Sequence, residues 1–287
     1  MRLFTRPTMT LTTQPAVEFP LATLCDIINR SFKGYVGGDI NFTPPILAGF
    51  MTSSGVHLTR SLVALQDGEP AGIAMLARRG WSVRVALMGV IADVQNQGVG
   101  RWLLAQIAES AKTAGDRMLV LEVIEQNPRA VHLYEAGGYR HIRRLMGYDL
   151  PASSQNTSSS TTTSLEQVDI FEAAQHIAAW EAVDLPWQCS GFSLIKGGAP
   201  SVAYHIEDCY AICSNPQAET ITLLGLAVPP ERQRKGMATA LVAKLVAVHP
   251  GKHWHVSPIC PEEYGAIFLR NGFTVNPLNQ FQMVLTL

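Results

Sequence analysis

An eight-residue segment, QNQGVGRW, runs from Gln95 to Trp102 and places two glycines two residues apart where an apolar run gives way to a helical pattern. The first N–H groups of a helix have no intrahelical acceptor, and the helix dipole adds partial positive charge there. Glycines let an anion approach that backbone, or permit a turn that a side chain would forbid. The segment therefore favours a phosphate or pyrophosphate ligand. The alternative is an ordinary helix start whose glycines serve close packing.

Two common phosphate-binding loops do not match this segment. A P-loop requires Lys and then Ser or Thr after its last glycine, whereas Arg101 and Trp102 follow Gly100. A dinucleotide-binding loop requires a third glycine where Leu103 stands. The loop is therefore of neither kind.

A second segment, QRKGMATALV from Gln233, repeats the loop in the other half of the chain. Both segments follow a strand-like apolar run, and both open a helical pattern. A later pair is also repeated, since Gly138 and Gly272 are each followed by an aromatic residue. The loop glycines lie 138 residues apart and the later glycines 134 residues apart, which indicates an internal duplication. The two halves should then share one fold.

The patterns around the first loop predict an α/β fold with a mixed, mostly antiparallel sheet flanked by helices. We expect a helix over 21–32, an irregular loop over 33–45, strands on both sides of Asp67-Gly68, a strand over 84–92, a helix from the loop to Gly115, a buried strand RMLVLEVI, a helix over 128–136 and a last strand that ends at Leu150. The second half predicts a helix over 168–183, strands over 203–206, 210–214 and 220–228, and a helix after its own loop.

A polar segment divides the chain. In PASSQNTSSSTTTS, residues 151–164, ten of the fourteen residues are Ser or Thr, and none is charged. Such a segment has too little apolar surface to order itself, which is typical of a linker. We therefore predict one domain over 1–150 and a second over 165–287.

Composition excludes several classes of partner. The 22 Lys and Arg residues nearly balance the 23 Asp and Glu residues, so no overall field favours nucleic acid or an anionic membrane. The sequence contains no run of 18 apolar residues, so no membrane span is predicted. Its five cysteines lack the spacing of a disulfide framework. We expect a cytoplasmic protein with reduced thiols. Cys209 and Cys213 have two interpretations, as metal ligands or as small residues of a half-buried strand, and the second is favoured.

Residues from about Glu18 to Leu150 resemble the GNAT acetyltransferases. That family has Gln/Arg-x-x-Gly-x-Gly/Ala, which Gln95, Gly98 and Gly100 match. It then has Asn-x-x-Ala-x-x-Leu-Tyr and a Gly-aromatic pair. The matching residues are Asn127, Ala130, Leu133, Tyr134, Gly138 and Tyr139.

The resemblance implies acetyl-CoA as the cosubstrate. Its pyrophosphate would lie on the loop, its pantetheine arm along the preceding strand, and Asn127 would help to hold it. The implied residues in the first half are Met88, Gly89, Val90, Gln95, Asn96, Gln97, Gly98, Val99, Gly100, Arg101 and Asn127. Those in the second half are Val228, Gln233, Arg234, Lys235, Gly236, Met237 and Ala238.

The resemblance also implies chemistry. Acetyl transfer needs a neutral amine, a polarised thioester and a proton for the departing thiolate. Tyr134 would supply that proton, and a backbone N–H near Val90 would stabilise the oxyanion. Glu122 is the candidate base, or else it makes a structural hydrogen bond at a strand end. Both interpretations of Glu122 stay open, as does a water chain as the base.

The second half lacks part of this set. Counting back from Gly272 places Phe268 at the position of Tyr134, and Pro261 at that of Asn127. The glutamate position falls at Val256 or, with a one-residue shift, at His255. His253 and His255 are interpreted as an exposed strand face rather than a catalytic pair.

We therefore expect an N-acetyltransferase whose first domain acetylates a primary amine of a small molecule or peptide and whose second domain is degenerate. One alternative is an acetyl-CoA-binding regulatory or scaffold protein without turnover. Another is catalysis in the second half by an unrelated acid. Phe32, Tyr35 and Phe42 suggest an acceptor with apolar parts, although core packing explains them equally well. The acceptor and the oligomeric state do not follow from the sequence.

Overall fold

The structure, a computed structural model, describes residues 10–155, 165–182 and 184–287. It contains two compact units. Unit 1 comprises Met1–Ile142 and Met283–Leu287, and unit 2 comprises Arg143–Gln282. In the described part of the chain, no helix has both the length and the apolar character that a bilayer crossing needs.

Unit 1 is a sheet with helices against it. Its elements are β1 (Leu11–Pro15), α1 (Leu21–Ser31), α2 (Pro44–Ser54), β2 (Leu62–Gln66), β3 (Glu69–Arg79), β4 (Ser82–Val90), α3 (Val99–Thr113), β5 (Met118–Ile124) and α4 (Pro128–Ala136). Strands β1 to β4 pair antiparallel in chain order, and β5 pairs parallel with β4. The strand next to β5 comes from the C-terminus of the chain, where Leu287 N donates to Arg117 O at 2.9 Å.

Unit 2 repeats this arrangement. Its elements are β6 (Arg140–Leu150, from Arg143 onward), β7 (Glu166–Val168), α5 (Ile170–Trp180), α6 (Gly191–Leu194), β8 (Val202–Ile206), β9 (Cys209–Cys213), β10 (Thr220–Ala227), α7 (Met237–Val248), β11 (His253–Pro261), α8 (Gly265–Leu269), β12 (Thr274–Val275) and the start of β13 (Gln280–Thr286). Strands β7 to β10 pair antiparallel in chain order, β11 pairs parallel with β10, and β6 pairs antiparallel with β11. The predicted class, a mixed and mostly antiparallel sheet flanked by helices in each half, is confirmed.

The division of the chain differs from the predicted boundary at residue 150. Most of β6 belongs to unit 2, whereas Met283–Leu287 belong to unit 1. Alternation of apolar and polar residues specifies which face of a strand is buried but not which strand it pairs with, so the sequence could not reveal this assignment. Of the predicted linker over 151–164, Ala152–Ser154 form a 3₁₀ turn, and residues 156–164 lie outside the described part.

Helix α2 begins within the last two residues of the irregular loop that the sequence predicts over 33–45. Its first residues are Pro44 and Pro45, which read as loop punctuation but are well tolerated in a helical first turn. Gly55 ends it in the left-handed conformation with φ 68°. Together with α1, this helix packs beside the sheet, and Leu24, Ile28 and Leu47 belong to one buried cluster.

Candidate functional site

The parallel strands of each unit part soon after they begin. In unit 1 the paired residues run from Ser82–Met118 to Arg84–Val120, whereas β4 continues to Val90. In unit 2 they run from Thr220–His253 to Thr222–His255, whereas β10 continues to Ala227. The backbone at the end of β4, which includes the predicted site residues Met88, Gly89 and Val90, therefore faces a gap beside β5.

The glycine loops that follow these strands have the same conformation in both units. In unit 1, Gln95 Nε2 donates to Val90 O at 3.0 Å; in unit 2, Gln233 Nε2 donates to Val228 O at 3.1 Å. The next residues, Asn96 and Arg234, have φ of 62° and 60°. The duplication inferred from spacing is thus repeated in side-chain contacts.

Each loop ends in a glycine that begins a helix. Gly98 and Gly236 are left-handed N-caps with φ of 89° and 81°. The first intrahelical bonds are donated by Trp102 N to Gly98 O and by Ala240 N to Gly236 O, both at 3.0 Å. Earlier N–H groups of the turn point out of the helix end and suit an anion. Among the predicted site residues, these N–H groups belong to Val99, Gly100 and Arg101 in unit 1 and to Met237 and Ala238 in unit 2. Gln97 and Lys235 are exposed residues of the two loops.

The two glycines of the first loop serve different purposes. A Cβ at Gly98 would have open space, so its conformation explains the glycine. A Cβ at Gly100 would lie 3.3 Å from Leu133 Cδ2 and 3.6 Å from Val90 Cγ2, so Gly100 lets α3 approach α4 and the end of β4 closely. Ala238 occupies the equivalent position in unit 2.

Gly89 brings the first helix to the gap. A Cβ there would lie 2.7 Å from Ser31 Cβ and 2.8 Å from Phe32 Cε2, so only a glycine lets the end of α1 rest on β4. Of the aromatic residues noted in this region, Phe32 and Phe42 pack against the buried cluster of unit 1. Core packing therefore accounts for those two residues.

Tyr35 and Asn127 connect the loop after α1 to the start of α4. Asn127 is the N-cap of α4, and its Oδ1 accepts from Ala130 N at 3.2 Å. Its side chain also hydrogen-bonds with Tyr35; burial raises the pKa of Tyr35, and this hydrogen bond opposes the rise. The sequence placed Asn127 in the site but gave Tyr35 no defined position.

Tyr134 lies on α4 and is 8% exposed. Burial, with a smaller contribution from Tyr35, raises the pKa of Tyr134 above the ordinary tyrosine value. Its ring packs edge-on against Tyr139, with centroids 5.7 Å apart. Burial therefore keeps the hydroxyl of Tyr134 protonated near neutral pH.

Glu122 makes a buried ion pair. Arg84 on β4 donates through Nε and Nη2 to Glu122 Oε2, at 2.8 Å and 2.7 Å. The side chains of Arg84 and Glu122 are 7% and 3% exposed. This pair links the two strands just where their pairing ends, which favours the structural interpretation of Glu122 over a freely available base. No motif or spacing in the sequence pointed to Arg84.

Unit 2 has a phenylalanine where unit 1 has Tyr134. Phe268 packs edge-on against Phe273 with centroids 5.7 Å apart, the same distance as between Tyr134 and Tyr139. Phe273 N also donates to Phe268 O at 3.2 Å, as Tyr139 N donates to Tyr134 O at 3.0 Å. The equivalence that was inferred from spacing is confirmed in the structure.

The glutamate equivalent in unit 2 is corrected by the strand register. His253 and His255 pair with β10 as Met118 and Val120 pair with β4, so Glu122 corresponds to Ser257. Val256, which spacing suggested, is buried like Leu121 and faces the core. The count failed because the two halves differ in length between this strand and the later glycine.

A cleft of about 750 Å³ lies in unit 2. Its walls include the loop from Arg232 to Arg234, the helix start from Gly236 to Thr239, the end of β10, Ser257 on β11 and Phe268 on α8. Tyr264 also lines it. Unit 2 thus keeps a space between its separated strands that is large enough for a substantial ligand.

Cys209 and Cys213 both lie buried in β9. Burial raises the pKa of both thiols, to about 12 for Cys213. They are strand residues, as the favoured interpretation had it, but the strand is buried throughout and not half-buried.

The left-handed cap at Gly98 predicts a stability effect. Gly98→Ala should lower the free energy of unfolding by about 1–2 kcal/mol, because a Cβ is strained at this φ even though space is open. Urea unfolding followed by circular dichroism measures it. Gly98→Asn is the matched control and should cost less, since Asn tolerates the left-handed region. Equal stability of the alanine variant and the wild type would contradict the assigned conformation.

The Arg84–Glu122 pair predicts strong coupling. Removing one partner, in Arg84→Met or Glu122→Leu, should destabilise the protein by about 3–5 kcal/mol, because the other charge stays buried and unpaired. The double variant should lose much less than the sum of the single losses. A double-mutant cycle of unfolding free energies measures this coupling, and additive losses would show that the two side chains do not interact.

Comparison with known proteins shows similarity to acetyltransferases in unit 1. Residues 29–139 match the model of the Acetyltransferase (GNAT) family. Mycothiol acetyltransferase of Propionibacterium freudenreichii subsp. shermanii is 33% identical over 97 residues, which cover 34% of this chain and 27% of that protein. Streptothricin acetyltransferase of Streptomyces lavendulae is 32% identical over 84 residues, covering 28% and 44%. The chain thus matches less than half the length of each of these two relatives.

A solved structure extends the likeness in fold to both units. A tandem GNAT protein from the clavulanic acid biosynthesis pathway superposes with a TM-score of 0.63 at 15% identity, and the match covers 97% of this chain and 98% of that one. This likeness shows the fold alone. The match to the GNAT family model therefore lies within unit 1, and the likeness in fold to a tandem GNAT protein extends over both units.

Proposed function

We propose that the protein is an acetyl-CoA-dependent N-acetyltransferase whose active centre lies in unit 1. The observation that carries the proposal is the joint presence in unit 1 of a helix-start loop, a gap between parallel strands and the buried hydroxyl of Tyr134. The acceptor is proposed to be a primary amine of a small molecule or peptide. Both relatives are acetyltransferases whose names contain a small molecule, mycothiol or streptothricin, which supports the first of these.

The loop and strand of unit 1 fit acetyl-CoA. The outward N–H groups of Val99, Gly100 and Arg101 suit a pyrophosphate, and Gly98 leaves open space before them. The backbone edge of β4 over Met88, Gly89 and Val90, beyond the last pair with β5, suits the amides of a pantetheine arm, with Val90 O already held by Gln95 Nε2. Asn127 caps α4, the helix that follows β5. Gln95, Asn96 and Gln97 shape the loop that carries these groups.

Acetyl-CoA supplies an acetyl group that is activated as a thioester. In the proposed reaction the amine lone pair forms the new C–N bond while the C–S bond breaks. Tyr134 donates its hydroxyl proton to the departing sulfur, and the proton lost by the amine leaves through solvent and restores the tyrosine. A backbone N–H near Val90 would bind the developing oxyanion.

Glu122 is proposed to position the strands rather than to remove the proton directly. Its carboxylate is held by Arg84, and taking up a proton would break that ion pair. A water chain from the amine to solvent then serves as the base. Glu122 remains near the gap because it lies on β5 two residues beyond the last pair with β4.

Unit 2 is proposed to bind acetyl-CoA without transferring the acetyl group. The cleft of about 750 Å³ and the loop of Gln233, Arg234, Lys235 and Gly236 support binding. Phe268 has no hydroxyl to protonate a thiolate. The regulatory or scaffold role considered above would then apply to this unit alone.

Loss of the Tyr134 hydroxyl should abolish most turnover. Tyr134→Phe should lower kcat about 10²–10⁴-fold and leave the KM for acetyl-CoA nearly unchanged, because the hydroxyl acts in the transition state. Release of free CoA with a panel of amino sugars, diamines, amino acids and peptides measures it. The matched control is Tyr139→Phe, whose buried hydroxyl has no hydrogen-bond partner among the described residues and should be dispensable.

The pH profile adds a second readout for Tyr134. Since its pKa is raised, the protonated donor persists beyond the pH at which an ordinary tyrosine ionises. The kcat of the wild type should therefore show no loss from this group up to about pH 10. Unchanged turnover in Tyr134→Phe, or a falling limb near neutral pH that this substitution removes, would contradict the assigned acid.

The two loops predict two binding sites for acetyl-CoA. Calorimetry should give two molecules per chain for the wild type. Gln97→Glu should weaken the unit 1 site and Lys235→Glu the equivalent unit 2 site, each by at least about tenfold, because a carboxylate repels the pyrophosphate. Only Gln97→Glu should reduce turnover. One site in the wild type, unaffected by Lys235→Glu, would contradict binding in unit 2; turnover lost with Lys235→Glu instead would move the active centre there.

A further inference from the structure

Three side chains of unit 2 converge on one carboxylate oxygen. His253 Nε2 and His255 Nδ1 each lie 2.9 Å from Asp149 Oδ1. The donor atoms of the three residues all lie within 4.8 Å of one another. We call these residues the His253 cluster. They have no part in the proposed transfer reaction.

Strand geometry brings the cluster together. Alternation along β11 puts His253 and His255 on one face and the buried Trp254 on the other. Across the antiparallel pair with β6, Asp149 stands directly opposite His255 and diagonal to His253. The sequence showed the two histidines as a strand face, but Asp149 lies more than a hundred residues away, and only the strand pairing reveals it.

A further contact fixes the carboxylate. Asn276 Nδ2 donates to Asp149 Oδ2 at 2.6 Å, on the side away from the imidazoles. Asn276 is itself held by its backbone N–H, which donates to Gly147 O at 2.8 Å. Oδ1 is thereby directed toward both histidines. Supporting hydrogen bonds of this kind orient the ligands in metal sites.

We propose that the His253 cluster binds Zn²⁺. Two imidazole nitrogens and one carboxylate oxygen form a donor set that zinc accepts, whereas calcium and magnesium prefer oxygen ligands alone. Metal–ligand bonds of zinc place tetrahedral donor atoms about 3.3 Å apart. Each nitrogen would withdraw by a few tenths of an ångström from Oδ1, and the two nitrogens, which lie within 4.8 Å of each other, would settle at that same separation. All three donors sit on the paired strands β6 and β11.

The cluster is open to solvent on one side. The side chains of His253, His255 and Asp149 are 38%, 28% and 24% exposed. An ion can therefore enter from water, and a water molecule can complete four-coordination. Zinc here would tie β6 to β11 and stabilise unit 2. The inference is independent of the proposed acetyl transfer.

Zinc titration of the full-length, untagged protein tests the site, since a polyhistidine tag would itself bind zinc. Competition with a chromophoric chelator should give a saturable site in the wild type. The double variant His253→Ala/His255→Ala and the single variant Asp149→Asn should each lower the affinity at least about tenfold. Asn276→Ala should lower it about 10- to 100-fold, since it removes the orienting contact.

His141→Ala provides the matched control. His141 also contacts a carboxylate, with Nε2 3.0 Å from Glu135 Oε1, but without a second imidazole in that ion pair. This variant should bind zinc as the wild type does. Equal zinc affinity in the wild type and in the double variant, with the same far-ultraviolet circular dichroism, would overturn the proposal. It would identify the cluster as two imidazoles hydrogen-bonded to a carboxylate.

Cobalt spectroscopy of the wild type tests metal binding at the His253 cluster even where a variant fails to fold. Co²⁺ at this site should give the intense visible bands of four-coordinate cobalt, and Zn²⁺ should displace them. Only the weak bands of hydrated, six-coordinate cobalt would overturn the proposal.

Discussion

The early parting of two parallel strands is the constraint on which the rest of the molecule depends. After three paired residues, β4 and β5 lose contact, and a gap opens that must be bordered by something other than a neighbouring strand. The buried pair of Arg84 and Glu122 stands at the point of separation. The glycine loop closes one end of the gap, and the start of α4 borders it. Each of these features borders the gap, and the gap exists only because the strands separate.

Close approach of neighbouring side chains to the backbone then sets the residue types around the gap. Gly89 admits the end of α1, Gly100 admits Leu133 of α4, and Gly98 makes the left-handed turn into α3. These glycines therefore serve the shape of the site as much as direct contact with an anion. Gly98 is the one whose conformation requires the glycine.

Duplication has preserved the scaffold in unit 2 while altering the chemistry. The glutamine contact, the left-handed cap and the aromatic pair recur at matching positions, and a large cleft lies beside the second loop. The hydroxyl of Tyr134 is replaced by the bare ring of Phe268. In the proposed function, binding and proton transfer are therefore separable: the first would depend on backbone groups, and the second on a single side chain.

The sequence was informative where a short-range signal exists. Spacing and periodicity predicted the class of the fold, both loops, helix α4 over Pro128–Ala136 and the equivalence of Phe268 with Tyr134. It was uninformative where the result depends on distant pairing. The assignment of β6 to unit 2, the partner of Glu122 and the approach of Tyr35 to Asn127 are set by tertiary contacts, which periodicity does not encode. The glutamate equivalent was misplaced because counting from a later glycine ignores a difference in length.

The most direct test of the central claim is a crystal structure of the protein with a thioether analogue of acetyl-CoA, which cannot transfer its acyl group. We expect the pyrophosphate to lie against the N–H groups of Val99, Gly100 and Arg101, with the sulfur within hydrogen-bonding distance of the Tyr134 hydroxyl. A second molecule should occupy the cleft of unit 2, beside Phe268. An analogue bound in unit 2 alone, or a sulfur in unit 1 that lies away from Tyr134, would contradict the account.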